Sequence, residues 1–346
     1  MKRIALDVMG GDLGIQATVP GMIRYIMKSN GNGIAFDLFG KKSEIDAVLA
    51  EYPKVDEKIC QIHDTGDNVI QCDQKPAIAV RNGKGTSMFE AIAFVADGHA
   101  DAVVSSGNTG AYMALSKCLI GSIENIDRPA LVGLLPNVSG STVMLDLGAN
   151  TDCTSTKLIQ FALMGHAVAS VLLSLECPRI GLLNIGTERT KGTKPLEEAY
   201  EFLESFGDIN FSGFVEGTDI TSGVVDVVVS DGFSGNISLK TMEGTFKYIM
   251  HVLMGGFSSS LAAKFGYIFC KKVFRILKSK IDPRINNGAP LVGLKKVSVK
   301  SHGNSDYIGF SNAISVAVNL VNASFIEKVK KSIQQATQKE ETWRML

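Results

Sequence analysis

Several apolar runs of this sequence end in short polar loops that could bind a small anion. In Val227 to Lys240, VVVSDGFSGNISLK, three valines precede a polar segment spaced by glycines. Backbone N–H groups of such loops, with the N-terminus of a following helix, form anion sites. The Asn236 side-chain amide could also donate to a developing oxyanion. Asparagine is equally a preferred N-cap, here for a helix beginning at Ile237, and both roles can hold together.

The same arrangement recurs along the chain. Four other apolar runs end in GGD after Met9, in GNTGA after Ser106, in GAN after Leu147 and in GTE after Ile185. Because ligands of open parallel sheets sit outside the carboxyl ends of the strands, we expect these loops to be neighbours lining one crevice. The residues predicted to contact a phosphate-like group there are Asp7, Gly10, Gly11, Asp12, Gly107, Asn108, Thr109, Gly110, Asn150, Gly186, Thr187, Gly232 and Gly235.

Three further side chains could take part in the chemistry. Lys191, in NIGTERTKGTK, could neutralise phosphate or an oxyanion, although a solvated loop lysine is the commoner interpretation. His302, in KSHGNSD, joins the predicted binding residues as a candidate general base, or it simply orders a turn. Asp7 and Asp12 could orient a donor, and the sequence slightly favours capping of the next helix.

Several other kinds of site are not expected. No loop matches the dinucleotide fingerprint GxGxxG or the phosphate loop GxxxxGK[ST]. Neither a GxSxG nucleophile elbow nor an HExxH or Cys/His cluster occurs. The sequence therefore predicts neither a metal nor another cofactor, and it favours a small anion over a dinucleotide.

Alternation of apolar strands with helical stretches predicts an α/β fold. Its sheet is expected to be mostly parallel, with helices on both faces. Residues 1–346 are predicted to form a single α/β domain, because no linker or repeat divides them. The uncharged stretch from Leu158 to Leu175 is interpreted as a buried helix rather than a membrane span.

Composition narrows the class of protein. Lysine plus arginine equals aspartate plus glutamate at 35 each, which argues against a nucleic-acid binder that relies on an overall basic field. The six cysteines form no CxxC pair, which is typical of reduced thiols in a cytoplasmic protein. The apolar run before Gly10 is too short for a signal peptide.

Residues 240–285 predict a protruding amphipathic helical pair. Gly255-Gly256 breaks one helix, and serines that follow can begin the next. Cations and apolar residues fall on opposite faces of the second helix, beside an uncharged tip, which suits an anionic membrane surface. The residues assigned to that surface are Leu253, Leu261, Lys264, Phe265, Phe269, Lys271 and Arg275. A surface helix packed on the core, a dimer interface and an acidic-carrier contact stay open.

Eight segments in order resemble the bacterial phosphate acyltransferases of phospholipid synthesis, the PlsX family. They are ALDVMGGD, SSGNTGA, LDLGAN, LLNIGTE, VEG, VSDGFSGN, GAPLVGL and KSHGNSD, between about Ile4 and Ala323. The resemblance implies transfer of a long fatty acyl chain from acyl carrier protein to inorganic phosphate, which gives acyl phosphate. It places Lys191 and Asn236 in the active site.

The resemblance also implies a fold, an assembly and a location. The fold is that of the isocitrate and isopropylmalate dehydrogenases and the phosphotransacetylases. The assembly is a homodimer that works at the cytoplasmic, inner face of the membrane and attaches peripherally through its helical pair. A dehydrogenase-like or phosphotransacetylase-like enzyme on the same fold, and a lipid- or carrier-binding scaffold, are the alternatives.

Overall fold

The computed structural model describes residues 1–29, 33–52, 59–282 and 284–345. Its strands are β1 (Lys2–Asp7), β2 (Ile34–Gly40), β3 (Cys60–Asp64), β4 (Ala102–Ser105), β5 (Ala130–Leu131), β6 (Gly133–Pro136), β7 (Ser141–Leu145), β8 (Arg179–Leu183), β9 (Asn210–Val215), β10 (Val227–Val229), β11 (Ala289–Val292) and β12 (Val297–Lys300). Its helices are α1 (Ile15–Ser29), α2 (Lys42–Ala50), α3 (Pro76–Asn82), α4 (Ser87–Ala96), α5 (Thr109–Ile120), α6 (Ser155–Leu172), α7 (Lys194–Phe206), α8 (Gly232–Ser258), α9 (Leu261–Ile281), α10 (Tyr307–Asn322) and α11 (Phe325–Met345).

The strands divide between two sheets. The first has the order β3-β2-β1-β4-β12-β11-β5, and the second has the order β6-β7-β10-β8-β9. All neighbouring strands are parallel except at β11, which is antiparallel to β12 and β5, and at β6, which is antiparallel to β7. The polypeptide passes from the first sheet to the second within residues 130–136, where β5 leads into β6. The two sheets are therefore joined by this short segment.

Helices cover both faces of each sheet. In the first sheet, α1 and α10 pack together on one face, and α3, α4 and α5 cover the other. In the second sheet, α6 packs on one face, and the start of α8 packs on the other through Leu239 and Met242. One continuous core includes Leu6 of the first sheet and Leu145 of the second. The central strand β10 is completely buried, which is why it is a plain run of valines.

The helices α8 and α9 follow one another closely and pack together. Phe257 near the end of α8 contacts Tyr267 and Phe274 of α9, with ring centroids 5.6 and 5.0 Å apart. The Ser260 side chain caps α9 by accepting from the backbone N–H of Ala263. Contacts of this kind hold the two helices against each other, so the pair is more than a continuous surface helix.

Two observations bear on whether the described helices could cross a membrane. No single described helix has both the length and the apolar composition of a span. The bent pair of α10 with residues 325–339 meets the criteria together. Most of α10 is buried in the core.

The predicted fold class is confirmed: the protein is α/β, its strands are mostly parallel, and helices lie on both faces. The strands are divided between two sheets, whereas a single sheet is the simplest expectation from the alternation. The stretch beginning at Leu158 is the buried helix α6, as predicted. The prediction that Asn236 caps a helix beginning at Ile237 is wrong, because α8 begins at Gly232 and Asp231 accepts from Ser234 as its cap.

Candidate functional site

A cavity of about 400 Å³ lies between the carboxyl ends of the two sheets. The first sheet contributes residues 300–303, at and just beyond the end of β12, and Thr109 at the start of α5, and the second contributes Gly148 beyond β7. The helix α8 closes one side with Asn236. Such a position, outside the strand ends of an α/β fold, is where ligands of these folds bind.

Hydrogen bonds tie together the three loops on the first sheet's side. The Ser106 hydroxyl donates to the carbonyl of Gly10 at 2.8 Å, which joins the loops after β4 and β1. The N–H of Asp12 donates to the carbonyl of Gly303 at 2.8 Å, which joins the loops after β1 and β12. Gly11 has φ +86°, and an added Cβ would lie 2.8 Å from the Gly303 carbonyl oxygen. These three loops therefore lie next to one another, as predicted.

On the second sheet's side, Asp146 organises the loop after β7. This buried carboxyl accepts from the N–H of Leu131 at 2.9 Å, from the N–H of Asn150 at 2.6 Å and from the Asn150 amide at 2.9 Å. Burial nevertheless raises the pKa of Asp146. The Asn150 amide also donates to the carbonyl of Pro129 at 2.9 Å. Asn150 therefore orders the loop, and it is not one of the described residues that line the cavity.

The two glycines of DGFSGN let α8 approach this loop. A Cβ on Gly232 would lie 2.6 Å from the Asn150 carbonyl oxygen, and a Cβ on Gly235 would lie 1.9 Å from that of Asp146. The N–H of Gly232 donates to the Asn150 carbonyl at 2.7 Å. Both glycines are accordingly explained by contact with protein, whereas the sequence suggested close approach to a ligand.

Asn236 lies on the cavity wall in the second turn of α8. One N–H of its Nδ2 donates to the carbonyl of Leu147 at 3.0 Å, and this bond fixes the plane of the amide. An amide nitrogen carries two N–H groups, so the second can be directed to a ligand in the cavity. The geometry suits an oxyanion donor held in place by the protein.

Lys191 lies in the loop after β8 and does not line this cavity. Its ammonium pairs with Glu188 at 2.8 Å, the side chain is 46% exposed, and the hydrogen bond that it donates to Glu188 raises the pKa of Lys191. Gly186 packs beneath it, where an added Cβ would lie 2.4 Å from the Lys191 Cδ. Thr187 in the same loop is exposed. The structure therefore brings Asn236, Thr109 and His302 together but leaves Lys191 apart from them.

His302 lines the cavity from the loop after β12. Its backbone N–H donates to the Asn287 side chain at 3.0 Å, and burial lowers the pKa of its imidazole. The ring is therefore neutral at pH 7, as a general base must be. Its backbone carbonyl accepts from the N–H of Ser305 in a turn.

Asp7 is buried and does not cap a helix, contrary to the preference from the sequence. It accepts from the hydroxyls of Ser87 at 2.7 Å and Ser105 at 2.6 Å. Burial raises its pKa in spite of these bonds. Its carboxylate also lies against Gly10, where an added Cβ would be 2.6 Å from Oδ2.

Asn108 caps the helix that opens onto the cavity. Its Oδ1 accepts from the N–H of Ala111 at 3.0 Å, and its Nδ2 donates to the carbonyls of Cys72 and Gln74. Protein groups thus occupy this side chain. Gly107 and Gly110 are in tight contact, since an added Cβ would lie 2.4 Å from Met88 and 2.8 Å from Pro76 respectively.

One wall of the cavity is apolar, a feature that sequence reasoning missed. It combines a stripe of α8 with the crossing segment between the sheets, and its members are Leu131, Leu134, Leu135, Pro136, Leu147, Leu239, Met242 and Phe246. The α8 residues recur at helical spacing, which could have revealed the stripe. Lys300, which lines the polar end, was also missed, although it opens KSHGNSD.

Among the described residues, no group of three or more His, Cys, Asp and Glu side chains could hold a metal ion. On α9 the apolar side chains assigned to a membrane are exposed: Leu261 by 76%, Phe265 by 66% and Phe269 by 87%. Lys264, Lys271 and Arg275 are exposed, and Leu253 is half-buried.

Solved structures with this architecture define the fold class. A phosphotransacetylase from Streptococcus pyogenes matches with a TM-score of 0.60 and 17% identity, covering 93% of this chain and 94% of its own. A 4-hydroxythreonine-4-phosphate dehydrogenase from Klebsiella pneumoniae matches with a TM-score of 0.50 and 13% identity, covering 93% and 100%. The predicted likeness to phosphotransacetylases is confirmed at the level of fold.

Sequence comparison then identifies the family. The family model described as fatty acid synthesis protein matches residues 2–328. A phosphate acyltransferase of Paramagnetospirillum magneticum is 45% identical, over 95% of this chain and 93% of its own, and one of Agrobacterium fabrum is 42% identical, over 96% and 94%. The chain belongs to this family of fatty acid synthesis proteins, and the predicted resemblance is confirmed.

Proposed function

We propose that this enzyme is an acyltransferase that transfers a long-chain fatty acyl group to inorganic phosphate and so forms acyl phosphate for phospholipid synthesis. The observation that carries the proposal is a single cavity with one apolar wall and one polar end. The wall suits an acyl chain, and the polar end supplies Asn236, His302 and the loops beyond β4 and β12. We further propose acyl carrier protein as the donor.

The reaction needs no nucleophile from the protein. A phosphate oxygen attacks the thioester carbonyl, a C–O bond forms, the C–S bond breaks, and the carrier leaves as a thiol after taking up a proton. The second N–H of Asn236 stabilises the oxyanion that develops on the carbonyl. Neutral His302 can take a proton from phosphate when it enters as the monoanion. Lys191 supplies positive charge from the neighbouring loop, in the active-site role that the family resemblance assigns.

The test is phosphate-dependent release of free carrier from long-chain acyl carrier protein. We expect one acyl phosphate for each carrier released, with no release when phosphate is omitted. Equal release without phosphate would identify a hydrolase instead. No release under either condition, with a folded enzyme and a donor of verified chain length, would contradict the proposal.

We also assign roles in this reaction to the site residues expected from the sequence. Asn236 and Lys191 are the catalytic pair, and the glycine loops around Gly11, Gly107 and Gly186 contribute backbone N–H groups. We expect Lys191→Ala to lower turnover while thermal unfolding stays unchanged, because the side chain is exposed and its ion pair with Glu188 contributes little to stability. A Lys194→Ala variant, in an exposed lysine three residues further on, is the matched control.

The helical pair is proposed to attach the enzyme to an anionic membrane surface. The exposed stripe of α9 lies beside exposed cations, as membrane-surface helices require. Replacement of Phe265 and Phe269 together by glutamate should release the protein from vesicles containing anionic lipid and spare turnover of a soluble short-chain donor. Val138→Glu, at a site that is 78% exposed outside the pair, is the control. Unchanged vesicle binding of the double variant would remove this role.

Location and assembly follow from the same picture. We propose a cytoplasmic enzyme at the inner face of the membrane, working as a homodimer whose subunits are each a single α/β domain with the protruding pair. The family resemblance and the absence of CxxC pairs support these proposals. Sedimentation of the purified chain across a range of concentrations would contradict the dimer if the mass stayed that of one subunit.

A further inference from the structure

Lys300 is the last residue of β12 and lies at the polar end of the cavity. In the strand register it is level with Ser105 of β4, which is level with Asp7 of β1. Three polar residues therefore form one row across three adjacent strands. Lys300 is 6% exposed, and it lines the cavity. Lys300 is thus a desolvated residue that borders open space.

The Lys300 ammonium is buried without a directly paired carboxylate in the described part of the chain, and Asp7 and Asp12 act on it only from a greater distance. Its Nζ donates to the carbonyl of Ser301, and among the described residues no carboxylate forms an ion pair with it. Burial lowers the pKa of Lys300 to about 8. Buried charges are normally paired, because desolvation of an isolated ion is costly. An anion bound in the cavity next to Lys300 would balance this charge.

A second group of donors faces the same space. The helix α5 begins at Thr109, which lines the cavity. The Asn108 side chain accepts from the N–H of Ala111, which leaves the N–H groups of Thr109 and Gly110 for an acceptor outside the helix. Packing against β12 holds this end in place, because the Tyr112 hydroxyl accepts from Ser298 at 2.7 Å and donates to the Val299 carbonyl at 3.1 Å. Helix N-termini favour phosphate and similar anions.

We propose that Lys300 and the first turn of α5 form an oxyanion site that holds inorganic phosphate. The reason for phosphate to be there rests on the proposed function, but its binding can be measured without any acyl donor. Lys300 differs from Lys191, which is exposed and already paired with Glu188. The buried lysine is therefore the main phosphate ligand, and Lys191 acts at the edge of the site.

Calorimetric titration of inorganic phosphate into the full chain tests the proposal. Lys300→Met keeps the length and packing of the side chain but removes its charge. We expect phosphate to bind about 10- to 100-fold more weakly, the range of a lost hydrogen bond to a charged group. Lys295→Met, at an exposed lysine before β12, should bind as the wild type does. Unchanged affinity in Lys300→Met, with an unaltered melting curve, would overturn the site.

The pH dependence of sulfate binding gives an independent test in the unmodified protein. Sulfate keeps a constant charge, so any change reports on the protein. Below pH about 8 the Lys300 ammonium holds its proton, and above it the proton is lost. Sulfate affinity should therefore be constant below pH 8 and fall by about tenfold per unit above it. Lys191 cannot produce this profile, because the pKa of its ammonium is raised.

The titratable groups that interact with Lys300 are Asp7, Cys72, Asp12 and His302. Asp7, Asp12 and Cys72 contribute negative charge that raises the pKa of Lys300 against the larger effect of burial. His302 titrates below its ordinary range. A wild-type sulfate affinity that stays flat from pH 6.5 to 9.5 would contradict the assignment to Lys300, whether or not the Lys300→Met variant folds.

The outcomes separate this inference from the proposed function. Phosphate binding that depends on Lys300, without any phosphate-dependent carrier release, would keep the site and reject the acyl transfer. Phosphate-dependent release with normal phosphate affinity in Lys300→Met would keep the acyl transfer and reject the site.

Discussion

Replacement of Gly235 by alanine tests how the start of α8 is fitted to the loop after β7. A Cβ at this position would lie 1.9 Å from the main-chain oxygen of Asp146 and 2.7 Å from the Ser230 hydroxyl. Ordinary contact begins at 3.4 Å, so the helix and the loop must separate by about 1.5 Å. The neighbouring Asn236 would move with the helix, away from the Leu147 carbonyl that orients its amide.

The magnitude follows from two opposing effects. Overpacking typically costs about 1–3 kcal/mol, and a clash against main chain belongs at the upper end because no side chain can rotate away. Alanine in a helix returns about 1 kcal/mol relative to glycine. We therefore expect the free energy of unfolding to fall by about 2 kcal/mol, and turnover to fall with it as Asn236 loses its position.

Gly244→Ala in the same helix is the matched control. No heavy atom of the described structure lies within 4 Å of a Cβ added there, so alanine should stabilise by about 1 kcal/mol. Urea unfolding of both variants, followed by circular dichroism, gives the two free energies, and carrier release gives the turnover. A Gly235→Ala protein as stable and active as Gly244→Ala would refute the close fit of α8 on the loop.

Three other changes probe the cavity. Asn236→Ala should retain the fold and slow turnover by about 100-fold, the effect of losing one oxyanion donor of about 3 kcal/mol, and normal single-turnover rates would contradict this. Met242→Trp should narrow the cavity at its apolar wall and weaken the binding of a long-chain donor by about 2 kcal/mol, or roughly 30-fold. Competition assays should show that binding of a short-chain donor is unaffected. Asp7→Asn removes a charge that raises the pKa of Lys300, so the midpoint of sulfate binding should move below pH 8; an unchanged midpoint would show that the two groups do not interact.

The sequence predicts the strands and their loops well because those signals are local. A run such as VVV followed by DGFSGN contains both the buried strand and the turn within a few residues. Division into two sheets depends on which strands pair, and this is decided by β11 and β6, whose antiparallel pairing no single segment reveals. For the same reason, the sequence does not reveal that the loops form two groups facing each other across the cavity.

The candidate site is only partly predictable for the same reason. Asn236 and His302 could be selected from residue type and position after a strand. Lys300 could not, because its burial and its place in one row with Ser105 and Asp7 depend on β12 pairing with β4, which pairs with β1. The glycines at 232 and 235 were correctly located, but the group they approach is protein and is known only from the packing.

The most direct test of the account is a crystal structure of the enzyme soaked with phosphate. We predict density for the anion in the cavity between the two sheets, within hydrogen-bond distance of the Lys300 ammonium and the first turn of α5, with the Asn236 amide facing the same space. Phosphate bound outside this cavity, with Lys300 left uncontacted, would contradict it.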